Sequence, residues 1–366
     1  MKLLILSDVN APYRVEIFKG LSKKFETVTF FNGKVIEGSD PRWFSKPCED
    51  FDFCILNNAK ALEEYEQCIN NITDFDVVLC YDPWHKRSRA LQRLCIKKKI
   101  PYLLNADGAV DINKNWLKVL VKSYYIGRAA LCFAGCDRAV EYFKTYGAKD
   151  EKIIKHNFTS FYSERILTEP FKSEQKSAFK QKLGFSDSFV FLSVGRFVGL
   201  KGFELLLKAW GKSNQRSQLV LVGGGPLADE YKRIIEELEL KNVTVLGYVD
   251  KEKLVDYYAA ADVFVMPTKS DIWGLVVNEA LASGLPVISS DKCTAGVELI
   301  KQNVNGLVYD CYDTDALCEC IRFMEQNADA ANEMSVNALN SIKNHTYENV
   351  IDSHITSILS IMDQIK

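Results

Sequence analysis

The stretch from Asp262 to Ser290 reads DVFVMPTKSDIWGLVVNEALASGLPVISS. Asp262–Met266 is a short apolar run closed by Pro267, the pattern of a parallel strand buried on both faces. Pro267–Gly274 reads as a loop and Leu275–Ser283 as a short apolar helix. Gly284 stops that helix, and Leu285–Ser289 is a second buried strand. The order strand, loop, helix, strand is a βαβ unit and predicts an α/β fold with parallel sheets.

The chemistry of this stretch lies where the loop meets the helix. Gly274 admits a close approach to the backbone, and the free N–H groups of a helix start suit a phosphate. Two carboxylates frame that point, Asp271 before the helix and Glu279 about one turn inside it. Helical side chains lean toward the N-terminus, so Glu279 reaches back to whatever the helix start holds. A carboxylate beside a pyrophosphate accepts from hydroxyls, as a ribose would supply, and Asp271 is placed to meet hydroxyls on the sugar side. Spacing alone fits equally a buried βαβ unit that carries two surface carboxylates.

The stretch Asp271-Ile-Trp-Gly-Leu-Val-Val-Asn-Glu279 resembles the E-x7-E motif of retaining glycosyltransferases of family 4, with Asp in the first position. Ala280-Leu-Ala-Ser-Gly-Leu-Pro-Val-Ile288 resembles the next segment of that family. Ser193-Val-Gly-Arg196 with Lys201-Gly202 resembles its phosphate-binding segment, and Leu221-Val-Gly-Gly-Gly-Pro226 its Gly-x-Gly-Pro turn. The resemblance spans about residues 189–310 and is weaker over the N-terminal half. It implies the GT-B architecture: two doubly wound Rossmann-like α/β domains facing a cleft. It also implies that Gly195, Arg196, Lys201 and Gly223 lie along a pyrophosphate, that Tyr248 and Val249 hold the base, and that Asp271, Trp273, Gly274, Leu275, Val276 and Glu279 hold the sugar and ribose. Arg196 and Lys201 would neutralise the leaving group without a metal. Asp107 occupies the place where many members of the family carry a His, so the resemblance turns it toward the transferred sugar or the acceptor hydroxyl; an Asp-Gly turn is the structural alternative.

Composition bounds these readings. The chain has 366 residues, 47% hydrophobic and 26% charged, which suits two domains of ordinary size. Lys plus Arg number 46 against 48 Asp plus Glu, a balance that gives no sign of a nucleic-acid partner. The 11 cysteines are scattered, without the paired spacing of a zinc site, and read as free thiols of a reducing cytoplasm. The first residues have too short an apolar run for a signal peptide, and no stretch is apolar enough to span a bilayer. The expected location is the cytoplasm, with peripheral contact to the inner face of its membrane left open.

Along the chain, Leu3–Leu6 reads as the first strand, followed by a loop carrying Asn10 and Arg14 and a helix over 15–24. Ligands of open α/β sheets sit outside the strand C-termini, which makes Asn10 and Arg14 acceptor-side candidates, with an exposed Arg at a helix start as the alternative. Asp76–Cys80 is a strand followed by a basic cluster, His85, Lys86, Arg87 and Arg89, which reads either as an acceptor contact, for example to a lipid-linked diphosphate, or as a solvated helix face. Residues 33–72 carry no assignable pattern. Lys114, Lys118 and Lys122 recur every four residues, so 114–128 reads as a basic amphipathic helix facing an anionic membrane, or as a core helix with a lysine face. Further strands are expected over 28–31, 101–104, 130–133, 189–194, 219–222 and 243–246, and Val297–Ile300 and Asn305–Val308 are read as completing the second sheet.

The domain expectation is an acceptor-side domain over 1–163, a linker over 164–186, a nucleotide-sugar domain over 187–345, and a last helix over 346–366 that crosses back to the first domain. The expected function is transfer of a hexose-type sugar, with retention, from a nucleoside diphosphate sugar, a UDP-sugar in this reading. The acceptor is a lipid-linked glycan of bacterial surface polysaccharide, and neither metal nor other cofactor takes part. Asp107, Arg196, Lys201 and Asp271 carry the chemistry in this reading, and Asn10, Arg14, His85 and Arg87 meet the acceptor. An epimerase or phosphorylase of the same fold and a non-catalytic nucleotide- or sugar-binding protein are the alternatives.

Overall fold

The computed structural model describes residues 1–36, 41, 44–108, 115–213 and 216–365. Its contacts divide the chain into two units. The first comprises Met1–Ile36, Pro41–Thr159 and the stretch from Thr346 on, and the second includes Ser160–His345.

The first unit holds a seven-stranded parallel sheet in the order β3-β2-β1-β4-β5-β6-β7. Its strands are β1 (Lys2–Ser7), β2 (Glu26–Phe31), β3 (Cys54–Ile55), β4 (Val77–Cys80), β5 (Tyr102–Ala106), β6 (Leu131–Ala134) and β7 (Ile153–Lys155). Leu3, Leu4, Ile5, Leu6, Val78, Leu79, Leu103 and Leu104 are wholly buried, as expected for central strands covered on both faces. The second unit repeats the plan with six strands in the order β10-β9-β8-β11-β12-β13. These are β8 (Val190–Val194), β9 (Gln218–Val222), β10 (Val243–Leu246), β11 (Val263–Met266), β12 (Val287–Ser290) and β13 (Gly306–Tyr309). Every pairing between these strands is parallel. Both units are therefore doubly wound and Rossmann-like.

Several expectations change. The first helix is Pro12–Ser22, not 15–24, because Pro12 at its first turn has no N–H to lose and is preset for helical φ. Val297–Ile300 is not sheet; most of it lies in the helix Thr294–Leu299. Leu285 and Pro286 precede β12 rather than opening it. The unassigned 33–72 region contains β3 and the helix Ala59–Asn70, whose start is capped by the Asn58 side chain accepting from Ala61 N at 2.9 Å.

The 164–186 segment is an integral layer of the second unit. Leu167 N donates to the Ala282 carbonyl at 3.0 Å. The helix Ser173–Lys182 sends Lys176 and Lys180 to the two oxygens of Asp262 at 3.0 and 2.9 Å. Its charge, which reads as linker composition, is spent on pinning it to the start of β11.

The last helix, Tyr347–Ile365, groups with the first unit and packs against Pro12–Ser22. It buries His354 completely. The ring lies 3.9 Å from that of Phe133, nearly parallel, with its Nδ1 2.8 Å from the Val350 carbonyl. The His156 ring is 5.2 Å away and also buried, with neither nitrogen hydrogen-bonded. Burial pushes His156 down to about 4. Burial, with His156 beside it, pushes His354 down to about 3.

Both imidazoles are therefore held neutral, whereas in the unfolded chain each titrates near 6.5. Stability from this source is full above about pH 6.5 and is lost as the pH falls toward the folded values, because only the unfolded chain takes up protons there. Each histidine contributes a slope of about 1.4 kcal/mol per pH unit. In His354→Phe that histidine's share disappears. Denaturant melts at pH 7.0 and pH 5.0 are expected to show the variant losing about 2 kcal/mol less than the native protein over that interval.

Candidate functional site

In each unit the strand order reverses once, between β1 and β4 and between β8 and β11. The loops leaving those strand C-termini diverge to opposite faces of the sheet, and ligands of such sheets bind in the crevice that this opens.

In the second unit, β8 runs into Gly195 and Arg196 and reaches Lys201 in a short turn. The neighbouring β11 runs into the loop 267–274 and then the helix Leu275–Ala282. The two loops are clamped together. Thr268, fully buried, donates its hydroxyl to the Leu200 carbonyl at 2.8 Å, and Lys269 N donates to the same oxygen at 2.8 Å. This clamp brings Lys201 Nζ against Asp271 Oδ2 in an ion pair, 70 residues apart in sequence. Both side chains are only about one-sixth exposed (16% and 15%), and the other Asp271 oxygen accepts from Trp273 N at 3.3 Å.

Gly274 caps the helix at φ 99°, where a side chain is strained, and an added Cβ would lie 2.6 Å from Cys293 Sγ. The glycine is therefore demanded by its own positive φ and by the Cys293 side chain behind it as well as by any ligand in front. Leu275 and Val276 are the first helical residues, so their N–H groups have no intrahelical carbonyl to meet. Glu279 stands one turn further on, accepting from Ser160 Oγ at 3.1 Å through Oε1 and from Tyr258 OH at 3.1 Å through Oε2. A carboxylate has about four acceptor positions, so two remain for a ligand.

Gly223, at the end of β9, passes so close to β8 that a Cβ would lie 1.8 Å from the Gly195 carbonyl oxygen. Arg196 is half-buried, Val249 half-buried and Tyr248 exposed beyond the end of β10. Trp273 is placed differently from the expectation. Its ring is buried and donates Nε1–H to Asn278 Oδ1 at 2.8 Å, while its carbonyl receives Ala295 N at 2.8 Å. An apolar ring of that size next to a polar loop is taken into the core, where its one donor has a partner. It supports the loop from behind.

In the first unit the same crevice is occupied by charge. Arg14 is buried, and its guanidinium reaches Asp82 Oδ2 at 2.6 Å, Asp107 Oδ2 at 2.8 Å and Ser7 Oγ at 2.8 Å. Asp107 also accepts from Tyr13 OH at 3.1 Å and from Asn105 Nδ2 at 2.5 Å, and Asp82 accepts from Asp8 N at 2.7 Å. Burial pushes Asp82 up, but the guanidinium and these hydrogen bonds outweigh it and hold the carboxyl below the usual range. Burial, with Asp82 close by, raises Asp8. Arg14 is thus neither an exposed residue nor an anion site: two carboxylates consume its fork.

Asn10 Nδ2 is bonded to the Ser45 carbonyl at 2.7 Å and ties two loops. His85 caps the helix Lys86–Lys98, its Nδ1 accepting from Arg87 N at 3.3 Å and lying 3.0 Å from Asn32 Nδ2; Arg87 donates to Asn32 Oδ1 at 3.0 Å. Asn32, Asp82, Tyr13, Ser160 and Tyr258 are partners that sequence reasoning does not single out. Asp82 alone carried a signal, two residues past a strand end.

The lysine-faced helix also differs. Lys114 lies outside the described residues. In the helix Trp116–Ile126, Lys122 turns inward, its Nζ 5.3 Å from the Trp84 ring and 4.8 Å from each of Tyr142 and Tyr146. Trp116, Leu117, Leu120, Val121 and Tyr124 face outward, between 44% and 67% exposed.

Comparison with known proteins bears on the second unit. Residues 175–341 match the family described as "Glycosyl transferases group 1". The matched residues fall within the second unit and its β8–β13 sheet lies inside them. An uncharacterized glycosyltransferase of Methanocaldococcus jannaschii is 26% identical over 275 residues, 67% of this chain and 65% of that protein. A GDP-mannose-dependent monoacylated alpha-(1-6)-phosphatidylinositol monomannoside mannosyltransferase of Corynebacterium glutamicum is 32% identical over 163 residues, 42% of each chain. These alignments span about two thirds or less of the curated relatives' length. Among solved structures, Anabaena HepE in complex with UDP superposes with a TM-score of 0.79 over 98% of this chain and all of that one, at 17% identity, which shows the shared GT-B fold. The Lys201–Asp271 pair and Glu279 all lie within the matched residues.

Two outcomes are expected from this geometry. Arg14→Met leaves the partly buried Asp82 and Asp107 without their cation and destabilises the protein by about 3 kcal/mol in denaturant melts. Trp273→Phe costs about 1–3 kcal/mol in denaturant melts through the lost bond to Asn278.

Proposed function

We propose that this protein transfers a hexose-type sugar from a nucleoside diphosphate sugar, a UDP-sugar in our reading, to a hydroxyl of a lipid-linked glycan, with retention at the anomeric carbon. The observation that carries the reading is the Lys201–Asp271 pair at the β8/β11 reversal, beside the start of the helix Leu275–Ala282. A cation, a carboxylate and helix N–H groups at one point suit a diphosphate joined to a sugar.

The parts divide by charge. The diphosphate takes Lys201 and Arg196 as counter-ions, together with the N–H groups of Leu275 and Val276. Once Lys201 pairs with phosphate, Asp271 is free to accept from sugar hydroxyls. Glu279, kept in place by Ser160 and Tyr258, offers its remaining lone pairs to the ribose. The Tyr248–Val249 loop receives the base. In the reaction the bond between the anomeric carbon and the β-phosphate oxygen breaks, and the acceptor oxygen bonds to that carbon on the same face. The acceptor's proton passes to the departing phosphate oxygen. The two cations stabilise the negative charge that develops there, so no metal enters the scheme. On the first unit Asp107, paired with Arg14, is assigned to accept from the acceptor hydroxyl. The UDP complex of Anabaena HepE supports a uridine donor, the Corynebacterium relative's name a guanosine one.

The test is nucleotide release from UDP-, GDP- and TDP-sugars in EDTA, with calorimetry of the matching nucleotides. One nucleotide is expected to bind and be released slowly, with affinity weakened roughly tenfold or more in Glu279→Gln as a charged acceptor is lost. Absence of binding by every nucleotide overturns the donor site. A trapped glycosyl-enzyme adduct overturns the same-face mechanism.

A further inference from the structure

The outward stripe of the helix Trp116–Ile126 has no role in the donor or acceptor reading above. Trp116, Leu117, Leu120, Val121 and Tyr124 follow the spacing i, i+1, i+4, i+5, i+8 and cover one arc of roughly 140°. All five are exposed, although an 11-residue helix of a water-soluble domain normally turns such a face to the core. The inward face buries Tyr125 and Ile126 and also seats the half-buried Lys122 over the rings of Trp84, Tyr142 and Tyr146, with Trp84 Nε1 donating to Tyr142 OH at 2.8 Å. The burial of Tyr125 and Ile126, together with that cation–aromatic packing, docks the helix in a rotation that leaves its apolar stripe outside.

Charge selects the occupant. From Trp116 to Arg128 the chain carries three basic residues and no Asp or Glu. Lys118 is exposed, and Arg128, also exposed, stands with its guanidinium 4.0 Å over the Tyr124 ring at the other end. The amphipathic aromatics Trp116 and Tyr124 mark the two ends, and Leu117, Leu120 and Val121 fill the middle. Aromatic ends suit a headgroup layer, aliphatic side chains the acyl boundary, and unopposed lysine and arginine suit anionic lipid. The helix is about 16 Å long, too short to cross a bilayer but sufficient to lie in its surface. Among the described residues no helix is long and apolar enough to cross a membrane.

We infer that the exposed face of Trp116–Ile126 is a monotopic lipid-binding surface that inserts its apolar side chains into an anionic bilayer. The inference reverses the expected polarity of the segment. Insertion, rather than lysine attraction alone, holds the protein there, so binding outlasts high salt.

The experiment is vesicle flotation of the full chain without donor or acceptor, so that its result is independent of the glycosyl-transfer reading. Vesicles are phosphatidylcholine alone or an equal mixture with phosphatidylglycerol, at 0.1 and 1 M NaCl. The native protein is expected to float with the anionic vesicles, to keep at least a third of its partition coefficient at 1 M NaCl, and to show tryptophan quenching by acyl-chain-brominated lipid that is lost in Trp116→Tyr. Leu117→Ser/Leu120→Ser is expected to lower partitioning at least tenfold while nucleotide affinity and melting temperature stay unchanged, because both side chains are solvent-exposed. Lys118→Gln/Arg128→Gln is expected to lower it only three- to fivefold.

The proposal is overturned if the native protein binds neither vesicle type, or if 1 M NaCl releases it completely and the serine variant binds as well as native. It is also overturned if the serine variant instead abolishes a concentration-dependent self-association of a protein that ignores lipid, in which case a second copy covers the face.

Discussion

Parallel sheets whose strand order reverses in the middle create a constraint that the rest of this protein is built around. Where β8 and β11 lie side by side, their outgoing loops must part to opposite faces, and polar groups gather in the gap. The second unit fills its gap with Lys201 and Asp271, each neutralising the other within a largely buried setting. Such a pair is poorly justified as a stabilising device, since desolvation offsets much of the attraction. In the function proposed above the two are halves of a binding site, each exchanging its partner for a phosphate or a hydroxyl.

The first unit meets the same constraint with a different balance of charge. Three carboxylates, Asp8, Asp82 and Asp107, gather near one buried guanidinium, and Arg14 is fully engaged by two of them. An anionic ligand would find no free fork there. A hydroxyl donor would find Asp107 oriented by Tyr13, Asn105 and Arg14. The two units share a topology and differ in what their reversal points can recognise, a difference set by side chains on loops and not by the sheets.

The helix Trp116–Ile126 shows why periodicity cannot by itself assign inside and outside. Lysines at 118 and 122 and apolar residues at the other positions read as a basic surface on a core helix. The aromatic groups of Trp84, Tyr142 and Tyr146 reverse that for Lys122, because together their faces replace part of the hydration of its ammonium and draw it inward. Those rings come from other segments, and no window on the helix contains them. The same reasoning applies to the 164–186 segment, whose lysines look like linker charge until Asp262, some eighty residues away, is seen to receive two of them.

Much was legible in the chain alone. Runs such as Leu3–Leu6, Asp76–Cys80 and Val263–Met266 can only be strands buried on both faces, and their recurrence between helical stretches determines a parallel α/β plan. The positions of Arg196, Lys201, Asp271 and Glu279 at strand ends and a helix start were equally readable, because strand direction alone puts them on the ligand side of a sheet. What the tertiary structure decided is which of those groups meet. Lys201 faces Asp271 across 70 residues, Glu279 leans on Ser160 across 119, and Arg14 closes on Asp107 across 93. Trp273 turns away from the site because its ring and its single N–H find apolar cover and an acceptor behind the loop. Local sequence sets the period and direction of each element. Contacts between elements far apart in the chain follow from how the sheets close, and these determine which charges are paired, which are buried and which faces are left to meet a ligand or a lipid.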